Sequence, residues 1–173
     1  MTRIVSLATL LILSCPTAWA AGNQQDRQAE MHQMQEAQAR MMAAMVTEKQ
    51  SRMGLNETLS ALTEAAKQRG WAVSAPIDMQ AVMQKAGHKD AKPFKVIAMC
   101  KKDLADTLIK TQAMHNMMPF APCRVSVFEG KDGQTYIARP NTALMAQMAA
   151  PIFAGLLQQF VAEEKAVISP LEK

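Results

Sequence analysis

"CRVSVFEGKDGQTYIAR", residues 123–139, is the stretch that decides the fold. Two strand-like runs, Cys123 to Glu129 and Thr135 to Arg139, flank the segment Lys131-Asp132-Gly133-Gln134. An Asp-Gly pair tolerates the positive φ that tight hairpin turns demand, so the two runs read as adjacent antiparallel strands. A lone hairpin is marginal in water and needs further strands and a covering helix. The flanking sequence supplies candidates for both.

On the N-terminal side, residues 93–100 (PFKVIAMC) read as a buried strand and Lys101 to about Gln112 as a helix. Residues 71–77 (WAVSAPI) read as a short strand. Asp78 then caps a helix over 79–85 that Gly87 closes. Asn56 stands at the N-cap of a helix running to about Gln68, with Leu59, Leu62, Ala65 and Ala66 on its buried side and Gly70 ending it. On the C-terminal side the chain from Thr142 is helical, and Pro151 opens a second segment. There Phe153, Leu156, Leu157, Phe160 and Val161 follow the i, i+3, i+4, i+7, i+8 pattern of an amphipathic helix, whose apolar face should close one side of the sheet. Residues 169–173 remain as a short tail. Strands and helices in this order make the fold class α+β.

Residues 22–53 are rich in Gln, Ala, Glu and Met and read as one helix, with Met31, Met34, Ala37, Met41 and Met45 in a stripe. Methionine is a flexible packing residue, so the stripe suits a core, a partner or a second copy of the chain. Thioethers beside His32 would also suit Cu(I).

The first 20 residues have the form of a secretory signal: Arg3, the apolar run 4–13, then Ala18-Trp19-Ala20 at the position a signal peptidase reads. Cleavage is expected after Ala20, leaving a helical extension over 21–44 and a domain from 45 to 168. A weaker alternative is lipidation at Cys15 within Leu13-Ser14-Cys15, which Pro16 fits badly. Removal of Arg3 lowers the formal net charge of +4 by one. So mild and dispersed a charge argues against nucleic acid as a partner, and no later run reaches membrane-spanning length.

Export leaves Cys100 and Cys123 in a compartment where disulfides persist. The connection over 113–122 is long enough to return the chain so that strand 123–129 starts beside Cys100. Neighbouring thiols there have three readings. One is a structural disulfide between Cys100 and Cys123. The second is a ligand-binding or redox pair activated by Lys101, Lys102 and Arg124. The third is a soft-metal site, with copper as its cofactor, recruiting Met114, His115, Met117 and Met118. His115 and Cys123 lack the third orienting group of a catalytic dyad. Phosphate loops, HExxH and serine elbows are absent, so no catalytic residue is assigned. Arg124 and Arg139, if on one face, would attract an anion; pairing with Glu129 or Asp132 is the alternative.

From about Met45 to Ile168 the chain resembles the domain of unknown function 302 family. The likeness is carried in order by "MVTEKQSRMGLNETLSAL" with Glu48 and Ser51, "AAKQRGWAV" with Gly70 and Trp71, "FKVIAMC" with Cys100, "PCRVSVFE" and "DGQTYIARPN". The resemblance implies a small antiparallel-rich sheet covered by helices, and it suggests an edge strand for residues 45–50 where periodicity favours a helix. It implies no activity. The expectation is an exported periplasmic protein that binds a small ligand or a protein partner and carries a paired-cysteine feature. A thiol redox enzyme and a Cu(I)-binding protein are the alternatives.

Overall fold

Around the Asp-Gly hairpin a six-stranded sheet forms among the described residues. In the computed structural model, which describes residues 18–110 and 123–173, the elements run α1 (Ala18–Ala44), β1 (Val46–Gln50), α2 (Leu55–Gln68), β2 (Trp71–Val73), β3 (Ile77–Asp78), α3 (Met79–Lys85), β4 (Phe94–Lys101), α4 (Lys102–Lys110), β5 (Cys123–Glu129), β6 (Thr135–Pro140), α5 (Thr142–Met148) and α6 (Pro151–Ile168). A 3-10 turn over Ser169–Leu171 follows. The strand order is β1-β6-β5-β4-β2, with β3 also pairing β4, and every pairing is antiparallel. In the hairpin Gly133 takes φ +76°, and the Gly130 N–H donates to the Gln134 carbonyl at 2.8 Å.

Several elements follow their local chemistry. Asp78 accepts from the Ala81 N–H at 3.0 Å and caps α3. Pro151 occupies the first turn of α6, where its missing N–H costs nothing. Others do not. The helix expected over 22–53 stops at Ala44, and Val46–Gln50 instead pairs along its whole length with β6. Glu, Lys and Gln have helical propensity, but a full ladder of tertiary hydrogen bonds outweighs it. The N-cap of α2 is Gly54, not Asn56. Glu57 reaches back to the Gly54 N–H at 3.4 Å, which moves the start of the helix two residues upstream. The strand expected over 71–77 divides into β2 and β3, both on β4. The tail is not loose: the Arg52 N–H donates to the Leu171 carbonyl, the Lys173 N–H to the Gln50 carbonyl, and Leu171 is buried.

Alternation along the strands sorts the core to one side. Ile97 faces Val125, Met99 faces Cys123 and Val127 faces Ile137, while Trp71 faces Lys101. All the buried strand residues, Trp71, Ile97, Met99, Val125, Val127 and Ile137, lie on this face. Leu62 and Ala66 of α2, Val167 and Ile168 of α6, and Leu171 cover it. Each fully buried aliphatic side chain contributes about 1.5–3 kcal/mol.

The opposite face carries the row Glu48, Ala138, Ser126, Val96, Ile77 and the row Gln50, Tyr136, Phe128, Phe94. Not one of these residues is buried.

The chain divides into two compact units, Met1–Met41 and Met42–Lys173. Helix α1 exposes its methionines, with Met34 at 64%, and carries exposed i, i+4 pairs from Glu36 to Arg40 and His32. No helix among the described residues is long and apolar enough to cross a membrane.

Candidate functional site

The two cysteines meet in register and part by orientation. β5 begins at Cys123 directly opposite Met99, so Cys123 and Cys100 are diagonal neighbours on adjacent strands. Successive side chains on a strand point to opposite faces. Cys123 therefore shares the helix-covered face with Met99, whereas Cys100 shares the open face with Ala98 and its partner Arg124. Both thiols are free. This corrects the disulfide expectation: side chains that diverge across a pleat cannot be bridged without moving the backbone.

The expected thiol activation is also absent. Burial pushes the Cys100 thiol up. Cys123 is pushed up to about 12, first by burial, then by the charge of Glu164 and then by Cys100. Lys101 points to the helix-covered face. There it donates to the Arg69 carbonyl at 2.7 Å and lies 3.8 Å from Glu163. Both cysteines are thus protonated thiols at neutral pH. A shift from 9.0 to about 12 lowers the thiolate fraction, and with it the alkylation rate, about a thousandfold. Iodoacetamide at pH 7.5 should accordingly spare Cys123 in the folded protein and label it promptly in denaturant, as peptide mass mapping would show. The rate should climb about tenfold per pH unit. Fast labelling of native Cys123 at neutral pH would return the redox reading.

Behind Cys123 lies a buried polar cluster. Arg139, on the helix-covered face of β6, lies 3.7 Å from the Glu164 carboxylate and forms a close ion pair with Glu172. The Thr142 hydroxyl donates to Glu164 Oε2 at 2.5 Å. Glu164 Oε1 has no partner among the described residues. Burial raises the Glu164 pKa; the Thr142 bond and Arg139 oppose the rise, and Glu172 adds to it. Glu164 was legible as an anomaly, because it sits in the apolar stripe of α6 four residues after Phe160 and four before Ile168. Arg139 and Arg124 lie on opposite faces, so they do not form the joint anion site the sequence allowed. Glu129 pairs with Lys92 instead, and Asp132 accepts from the Tyr136 hydroxyl at 2.8 Å.

The remaining candidates separate further. Met114, His115, Met117 and Met118 lie outside the described residues, as does Cys15. No cluster of His, Cys, Asp or Glu suited to a metal occurs among the described residues. Ser51 is buried and shares a 2.6 Å hydrogen bond with Thr58, which ties β1 to α2; Glu48 points outward from the edge strand.

The feature left for recognition is the open face. Phe94 and Phe128 stack at 5.3 Å between ring centroids, and Phe128 and Tyr136 at 5.9 Å. They form an aromatic ladder across three strands. Val46 and Ile77, at opposite edges of the same face, are each more than half exposed. The three rings between them are half-buried, and apolar surface on an uncovered face is where interaction sites occur.

Comparison with family models gives a match over residues 46–168 to "Domain of unknown function DUF302". Among solved structures, the uncharacterized conserved protein DUF302 from Bacillus stearothermophilus is similar, with a TM-score of 0.63 and 22% identity. The match covers 74% of this chain and 98% of that one. At that identity the likeness speaks for the fold alone. Comparison with curated proteins gives no match.

Proposed function

The chain belongs to the family described as domain of unknown function DUF302, and we propose that it is an exported periplasmic binding module that takes its ligand or partner on the open face of the sheet. The observation that carries this reading is the asymmetry of burial: every buried strand residue lies under the helices, while the other face presents a stacked Phe94–Phe128–Tyr136 ladder to its surroundings. Aromatic side chains offer large contact area at small entropic cost, and they anchor binding surfaces for that reason. The signal-like first 20 residues, with Arg3 before an apolar run and Ala18-Trp19-Ala20 after it, support export.

A fluorescent apolar probe, anilinonaphthalene sulfonate, tests the reading on dilute native protein. Saturable binding is expected, and Phe128→Glu or Ser126→Glu should remove most of it while circular dichroism stays native. Binding that survives both substitutions would place the apolar site elsewhere and sink the proposal.

A further inference from the structure

We propose that the open face is taken by a second copy of the chain, packed sheet face to sheet face about a two-fold axis that sets Glu48 of each copy against Arg124 of the other. The inference rests on the open-face reading above and names its partner.

The argument begins with charge. Across β1, β6, β5 and β4, and the β2 and β3 edge, the strand residues that the registers place on the open face are apolar or uncharged polar except two, Glu48 and Arg124, which have opposite sign. Both Glu48 and Arg124 are exposed, and neither makes an ion pair among the described residues.

Their positions suit self-pairing. Glu48 lies on edge strand β1, and Arg124 lies two strands away and one pair of residues further along. That is about 10 Å across the sheet and about 7 Å along it. A two-fold axis lying between two facing sheets, perpendicular to the line joining these residues, exchanges them. Each Glu48 then meets the partner's Arg124, twice per dimer, as an isologous interface requires. The apolar centre of one face meets that of the other at about 10 Å separation, with the strands of the two copies crossing at roughly 70°, nearer the orthogonal class of sheet packing than the aligned one. Five strand positions and four rows give a patch of about 20 Å by 20 Å. This is small for a permanent dimer, so a weak, concentration-dependent one is expected.

Sedimentation of the exported chain over a wide concentration range tests this. A reversible monomer–dimer equilibrium is expected. Glu48→Arg and Arg124→Glu should each weaken it roughly tenfold or more, since each replaces two attractions by two repulsions. The double variant Glu48→Arg/Arg124→Glu should return to within about threefold of the parent affinity. A chain that stays monomeric, single reversals without effect, or a double variant as weak as the singles would each overturn the proposal. So would a dimer lost only on deletion of residues 21–43, which would assign association to the methionine-striped helix. The probe experiment separates the two readings. A monomer whose probe binding is lost in Phe128→Glu keeps the open face and loses the self-pairing; a monomer whose probe binding survives that change loses both.

Discussion

Arg139→Ala is expected to destabilise the domain by about 3–5 kcal/mol, the usual cost of stranding buried charge by removing its partner. Arg139 is 10% exposed and faces Glu164 and Glu172, at 6% and 11%. Its loss leaves two buried carboxylates without their shared cation, Glu164 keeping only the Thr142 hydroxyl as a donor among the described residues. Against a typical total of about 5–15 kcal/mol, such a loss lowers the denaturant midpoint sharply. The deficit should depend on pH in a stated direction. Without Arg139, whose charge opposes the rise, the folded pKa of Glu164 goes further above its unfolded value. A carboxyl with a raised folded pKa contributes stability at low pH that is lost as pH rises through that value. The gap between variant and parent should therefore be smaller near pH 4 than at pH 7.5. Urea melts at both pH values check it; a gap that is constant, or larger in acid, would show that packing and not charge is what Arg139 supplies.

The second large effect is expected at Trp71. It is 3% exposed and meets Phe160 edge-on, with centroids 5.3 Å apart, joining the β2 edge to α6. Trp71→Ala should cost about 3–5 kcal/mol, as large-to-small changes in a packed core do. Its indole Nε1 is buried with no partner among the described residues, and an unmet donor costs about 1–3 kcal/mol. Trp71→Phe removes that donor while keeping a ring against Phe160. It should lose far less than Trp71→Ala, and thermal melts of the two variants compare them directly. Equal losses would mean that a ring kept against Phe160 contributes little and that only the full indole fills the site.

Much of this architecture is written in local chemistry. Asp132-Gly133 sets the hairpin because glycine alone tolerates φ +76° freely. Asp78 starts α3 through its own carboxylate, and Pro151 starts α6 by lacking an N–H where none is needed. The spacing of Phe160 and Val161 in α6, continued by Val167 and Ile168, marks the face that closes the core. Glu164 in that same stripe announces a buried carboxylate before any partner is known.

The partners themselves are not local. Residues 46–50 have the composition of a helix and become a strand because β6 offers them a ladder. Arg139 reads as a hairpin arginine, and its partners lie 25 and 33 residues further along, on α6 and beyond it. Cys100 and Cys123 are adjacent in the sheet, yet the pleat sends one thiol under the helices and the other to the open face. The sequence by itself determined the hairpin turn, the Asp78 cap, the amphipathic helix and the α+β class, because each depends on residues within a few positions of one another. The tertiary structure alone decided the edge strand, the separation of the thiols and the pairing of Arg139, because face and register arise only when distant strands exchange hydrogen bonds, and a shift of one residue would reverse every side chain.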